Sequence, residues 1–360
     1  MVTRGAPGLL SGLRVVEFVG LGPAPFACMF LADLGAEVVA VARPDAPLPA
    51  LVRNRPVLRA DLKDSADIEQ VRRLVERADV VVEGFRPGVM ERLGLGPDDL
   101  RGHHPELVYA RMTGWGQTGP LAHTAGHDIN YIGLTGALHL ATRAGHTPVP
   151  PANLLGDFGG GAMFLVAAVL AAVHRRAIAG IGEVLDIAIL DGTSYLTSMQ
   201  HEYRGDGRWS DVAGVNRLDT GAPYYDVYPC ADGRFVAVGA LEKPFFDRLV
   251  ELLSLPADVV ADRENPQRWP QLRRAITEAL SRRTRDEWDE RARGTDACLT
   301  PVLDLAESAE HPQVAARSLL QRTGPGTWTP SLGLGFVGEP PALGEVMSAW
   351  GVSGRKEVDQ

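Results

Sequence analysis

Short apolar runs alternate with helically spaced apolar positions over the first half of the chain, which predicts strand–helix–strand units. Gly12-Leu-Arg-Val-Val-Glu-Phe18 reads as a buried strand, and Phe26 to Leu34 has helical spacing that ends at Gly35, a natural C-cap. Glu37-Val-Val-Ala-Val41 is the next strand. Further strands are expected at Ala78-Asp-Val-Val-Val-Glu83 and Leu107-Val-Tyr-Ala-Arg-Met112, with a polar amphipathic helix over 66–77 between two of these elements. Such units predict a parallel sheet with crossover helices.

The apolar run from Phe158 to Val173 predicts a long core helix that starts after Asp157 and stops near Gly180. It is shorter than the ~20 residues that span a bilayer. Glu183 to Ile189 returns as a strand, and a helix is expected from Asp191 towards Tyr203. Beyond Gly205 the texture changes. Tyr224 to Val238 alternates around Ala231-Asp-Gly233, a hairpin signal, and amphipathic helices follow at Lys243–Leu253 and Thr284–Arg293. The expected fold is α/β: a Rossmann-like large domain over 1–204, a smaller α+β domain over 205–325, and a proline- and glycine-rich segment over 326–360 that packs back on the first domain.

Composition narrows the function. The chain has 360 residues, 45% of them hydrophobic, with 36 Lys plus Arg against 45 Asp plus Glu and a net charge of −9. That balance argues against nucleic-acid binding, which needs a basic face to neutralise phosphates. Cys28, Cys230 and Cys298 lie far apart without a paired motif, which fits a reducing cytoplasm and no structural zinc. Cys298 carries no nucleophile motif and is expected as a small buried residue. The N-terminus shows no secretion signal. His123, His139, His146 and His201 have no ligand spacing, so no metal is expected.

Gly20-Leu-Gly-Pro-Ala-Pro25 follows a strand where a dinucleotide fingerprint would sit, but it lacks the third glycine and carries two prolines. A packing turn is the expectation. Arg43 ends a strand, Lys63 follows Ala60-Asp61-Leu62, Arg86 lies in Gly84-Phe85-Arg86, and Arg92 follows shortly after. Strand ends of a parallel sheet share one edge, so these cations either converge on a polyphosphate or are simply solvated. His127 opens the segment Ile129–Leu140, where Asp128 is placed to cap a helix. Asp157, with Asn153 four residues earlier, is either an N-cap carboxylate or an acid–base group. Glu242 ends a strand and starts the next helix.

At these residues a resemblance becomes specific. Arg111-Met-Thr-Gly-Trp-Gly-Gln-Thr-Gly-Pro120, Gly126-His-Asp-Ile-Asn-Tyr131, Gly156-Asp-Phe-Gly-Gly-Gly161 and Gly221-Ala-Pro-Tyr-Tyr225 resemble the α-methylacyl-CoA racemases of the type III CoA-transferase superfamily, the bacterial ones most closely, from Leu10 to about Leu303. The resemblance implies the following. His127 and Asp157 are the two proton carriers, with Glu242 orienting the histidine and Asn153 beside the aspartate. Arg43, Ala60, Asp61, Leu62, Lys63, Gly84, Phe85, Arg86 and Arg92 contact CoA. Gly126, Asp128, Ile129, Asn130 and Tyr131 line the thioester. It also implies an interlocked homodimer with shared active sites, lipid-metabolic substrates, and chemistry in which CoA is part of the substrate and no redox or metal cofactor takes part.

Two alternatives accompany it. One is a type III CoA transferase that uses Asp157 as nucleophile. The other is a racemase-like CoA-ester binder or biosynthetic enzyme with altered chemistry, for Ala40 stands where relatives carry a basic residue and Thr197–Arg204 is more polar than a methionine-rich acyl surface. No membrane or nucleic-acid partner is expected.

Overall fold

Six strands form one parallel sheet, and its four central apolar strands are buried on both faces. The six are β1 (Arg14–Phe18), β2 (Glu37–Ala42), β3 (Val57–Arg59), β4 (Val80–Glu83), β5 (Val108–Thr113) and β6 (Val184–Ala188). The spatial order is β3-β2-β1-β4-β5-β6, so the winding direction reverses between β1 and β4. In open sheets of this kind ligands bind beyond the C-terminal strand ends at that reversal. The structure is a computed structural model and describes residues 8–332 and 341–352.

Side-chain alternation splits the core into two layers. Val15, Val38, Val80, Val82, Val108 and Ala110 face the helices Pro23–Asp33 and Met163–Ala179. Val16, Val39, Val41, Val81 and Tyr109 face the other way, with Val71 and Leu74 of the helix Ser65–Val75. Val346, Met347 and Trp350, in and just after the helix Leu343–Ala349, join this second layer, and Trp350 Nε1 donates to Glu37 Oε2 at 2.6 Å. Inside the sheet, Glu17 of β1 is fully buried, 3.2 Å from Arg55, whose guanidinium also donates to the Pro25 carbonyl. Burial pushes the Glu17 carboxyl up to about 7, against the pull of Arg55.

The chain divides into two compact units. The first comprises Met1–Ala137, Pro150–Ser198 and Leu334–Gln360, and the second Leu138–Val149 and Met199–Gly333. The second unit holds the antiparallel sheet of β7 (Tyr225–Pro229), β8 (Phe235–Gly239) and β9 (Leu299–Pro301), and the ribbon of β10 (Leu320–Gly324) and β11 (Thr327–Pro330). Gly233 takes a φ of +76° in the β7–β8 turn, a conformation that favours glycine. Helices Lys243–Leu253, Trp269–Leu280 and Arg285–Ala292 cover one face around Tyr228, Val236, Leu249, Leu272 and Trp288. Tyr224 of the Gly221–Tyr225 motif packs edge-on to Phe246 and Trp269, so this motif is part of the unit's core.

Several local expectations change. The prolines of Gly20–Pro25 initiate the helix Pro23–Asp33, because a first-turn residue needs no amide hydrogen for the helix. The helix expected from Asp191 breaks at Thr197 into Ile189–Leu196 and Ser198–Gly205. The helix expected after Asp157 begins earlier, as a π-helical segment Leu154–Ala162 that runs into Met163–Ala179. The combined stretch Leu154–Ala179 is long and apolar enough to cross a membrane, whereas the apolar run alone was not. Its Leu165, Val166 and Val169 are core residues.

Candidate active site

The π-helical turn around Asp157 is held open by close backbone approaches that only glycine permits. A Cβ on Gly160 would lie 2.2 Å from Thr193 Oγ1, and one on Gly192 would lie 1.8 Å from the Gly160 carbonyl. The helix Ile189–Leu196 therefore packs backbone to backbone on this turn, and Asp157 projects from within it. Asp157 is not an N-cap. It is half-buried, Asn153 Nδ2 donates to its Oδ2 at 3.3 Å, and a Cβ on Gly22 would lie 3.4 Å from the same oxygen. Its carboxyl is raised above the usual range, first by desolvation. The Asn153 hydrogen bond opposes this, the Asp128 charge adds to it and His127 opposes it.

His127, exposed, is itself the N-cap residue of the helix Asp128–Leu134, and its backbone N–H donates to Asn130 Oδ1 at 3.0 Å. Asp128 was expected to cap this helix. Instead it occupies the first helical position, where its side chain is free to turn inward, and its Oδ2 accepts the Asp157 backbone N–H at 2.8 Å. Tyr131, three residues on, donates its hydroxyl to the Gly126 carbonyl at 2.5 Å and packs edge-on to Trp115. Its phenol is raised by burial and then by the Asp157 charge, while Arg86 acts in the opposite sense. Asp157 is thus within electrostatic reach of His127, and Tyr131 within reach of both Asp157 and Arg86.

The remaining candidates of the first unit follow the strand ends. Arg43 follows β2, Ala60 to Lys63 follow β3, Gly84 to Arg86 follow β4, and Gly126 to Tyr131 lie beyond β5. Because the strands are parallel, all of these lie at one sheet edge. Arg43, Lys63, Arg86 and Arg92 are exposed, and Ala60 is buried with its N–H on the Ala42 carbonyl. Sequence reasoning missed what steadies the Gly84–Arg86 turn. Glu83 is fully buried, accepts the Phe85 N–H at 2.8 Å and pairs with Arg111 at 3.0 Å, and Arg111 reaches Glu91 at 2.8 Å. A carboxylate ending an all-valine buried strand was the available signal.

In the second unit, Glu242 is the exposed N-cap residue of Lys243–Leu253. It lines a cavity of about 550 Å³ with Tyr203, Arg208, Trp209, Arg217, Leu218 and Leu241. Cys298, expected to be buried, is exposed at a φ of +48°, and its thiol is raised by partial burial and by Glu242. Cys298 directly precedes β9, in the left-handed backbone region. Among the described residues no three His, Cys, Asp or Glu side chains are grouped to hold a metal ion.

Comparison with known proteins adds the following. The profile of CoA-transferase family III matches residues 10–346. The alpha-methylacyl-CoA racemase of Mus musculus is 43% identical over 304 residues, which cover 84% of this chain and 80% of that protein. The racemase of Homo sapiens is 41% identical over the same shares. A crystal structure of a CaiB/BaiF family protein from Brucella suis superposes with a TM-score of 0.74 at 25% identity, over 96% of this chain and 98% of that one.

Proposed function

The chain belongs to CoA-transferase family III, and from that premise we propose that it inverts the α-carbon of 2-methylacyl-CoA thioesters as an α-methylacyl-CoA racemase. The observation that carries this reading is the identity of 41–43% to two racemases over most of the chain. The site geometry supports it: His127 and Asp157 stand on two elements joined by a hydrogen bond.

The chemistry follows from a weakly acidic C–H. One of the two groups takes the α-proton, and the electron pair moves onto the thioester oxygen as an enolate. The other group returns a proton to the opposite face, the enolate pair forms the new C–H bond, and the thioester is restored. For either direction one carrier starts protonated and the other unprotonated, so both need affinities near the working pH. Desolvation moves Asp157 in that direction. A backbone N–H at the start of the Asp128 helix is the donor we assign to the enolate oxygen. Glu242 is assigned to orient His127, Asn153 to hold Asp157, and Arg43, Ala60–Lys63, Gly84–Arg86 and Arg92 to carry the CoA moiety. Gly126 and Asp128–Tyr131 line the thioester.

No redox or metal cofactor is required by these steps. The working unit in this reading is a cytoplasmic homodimer with shared sites. The helix Met163–Ala179 supports it by exposing Met163, Ala167, Ala171, His174 and Ile178 along one stripe, whose two alanines allow close helix packing. The deciding experiment incubates the protein with short, branched and steroidal 2-methylacyl-CoAs in deuterated water. Deuterium at the α-carbon with inversion supports the proposal. No exchange on any ester, or an acyl or CoA adduct on Asp157 by mass spectrometry, overturns it in favour of transfer.

A further inference from the structure

Asp128 is 7% exposed, sits one residue after His127, and has no cation paired with it among the described residues. Burying a carboxylate in this way is costly unless its oxygens are used. One oxygen is used: Oδ2 accepts the backbone N–H of Asp157 at 2.8 Å. The other, Oδ1, is buried without a hydrogen-bond partner among the described residues. Gly156 leaves the room for this approach, since a Cβ there would fall 2.4 Å from Oδ2. The bond spans the helix that His127 caps and the π-helical turn that carries Asp157, residues otherwise 30 positions apart in the chain.

We infer that the Asp128 carboxylate is a positioning residue for proton transfer, fixing the peptide of Asp157 to the His127 helix and placing a negative charge beside the Asp157 carboxyl. The inference rests on the racemase reading. Two functions are combined in one group. The hydrogen bond sets where the Asp157 side chain starts, and the charge makes its proton harder to release. Other groups act on Asp157 from the surrounding elements. Asn153 on its own segment and His127 before the Asp128 helix favour the ionised form, while Tyr131 of that helix is neutral and responds to Asp157. Asp191 on the helix Ile189–Leu196 is raised by burial and then by Asp186.

An ordinary helix-start carboxylate would stabilise the helix through its dipole and do nothing to the pH profile. The test therefore measures α-proton exchange against pH for the isomer that Asp157 deprotonates, in the wild-type protein and in Asp128→Asn, Asp128→Ala and Asn153→Ala. Asp128→Asn keeps an oxygen for the Asp157 N–H and removes the charge. Its acid limb should move to lower pH. Asn153→Ala should move the limb to higher pH. Asp128→Ala loses the acceptor as well, and its kcat should fall at least tenfold. Thermal melts of the variants separate misfolding from misplacement, and the near-isosteric Asp128→Asn decides the case. An acid limb that stays in place in Asp128→Asn overturns the inference while leaving racemisation intact. A wild-type protein that exchanges no α-proton overturns the racemase reading and this inference together.

Discussion

Gly156 and Asp128 meet so closely that a single added methyl group would not fit between them. A Cβ at Gly156 would lie 2.4 Å from Asp128 Oδ2 and 2.8 Å from Ile132 Cγ2. Gly156→Ala should therefore destabilise the protein by about 1–3 kcal/mol, the usual cost of overpacking, and lower kcat by displacing Asp157. Gly133, on the same helix as Ile132, has open space around its Cβ position. Gly133→Ala should be neutral or stabilising by up to about 1 kcal/mol from helix propensity. Urea unfolding of the two variants checks both, and equal stabilities would refute the packing argument.

Removing either proton carrier should stop inversion without unseating the substrate. His127→Ala and Asp157→Ala are each expected to lose about 100- to 10,000-fold in racemisation, the range for one acid–base group. Binding of an acyl-CoA, measured by calorimetry, should change little, because the residues assigned to CoA lie at other strand ends. Racemisation at the wild-type rate in either variant would reject the assignment.

Glu83 acts on a backbone turn. Glu83→Ala removes the acceptor of the Phe85 N–H and leaves Arg111 paired only with the more exposed Glu91. Breaking one side of a buried pair costs about 3–5 kcal/mol. If Gly84 to Arg86 hold CoA, KM for the thioester should rise while kcat, which depends on His127 and Asp157, is preserved. A variant that loses kcat at constant KM would place Glu83 in a different role.

The buried Glu17 makes stability depend on pH in a defined direction. Its folded pKa of about 7 lies above the ordinary 4.5. Between these values the folded protein holds a proton that the unfolded chain releases. This contribution is present below about pH 4.5 and is lost as the pH rises through 7. Its full size is of order 3 kcal/mol, from about 1.4 kcal/mol per pKa unit. Glu17→Gln should flatten that part of the pH dependence between pH 5 and 8. Denaturation curves of both proteins at several pH values test this, and parallel slopes would show that Glu17 ionises elsewhere.

The strands β1, β2, β4 and β5 were legible because each is a mostly apolar run buried on both faces, and such a run has few other uses than a sheet interior. β3 escaped notice because Val57–Arg59 is only three residues long and ends in a polar side chain. Helix ends such as Leu253 and the Thr284 cap were readable from spacing and cap chemistry, which are local. Nothing in Leu154–Ala162 separates a π turn from an α turn by composition. The wider turn follows from packing against Gly192 and Thr193, more than thirty residues away.

The candidate site divides in the same way. The residue types His127, Asp157 and Glu242, and the placement of Arg43, Lys63 and Arg86 after successive strands, are properties of the sequence, since strand direction carries those ends to one edge. The direction in which Asp128 turns was decided by tertiary structure alone. A carboxylate at a helix start can cap its own helix or reach another element, and local propensity does not choose between them. Here the choice is made by the Asp157 N–H at 2.8 Å and by the missing side chain of Gly156, both supplied by a segment distant in the chain.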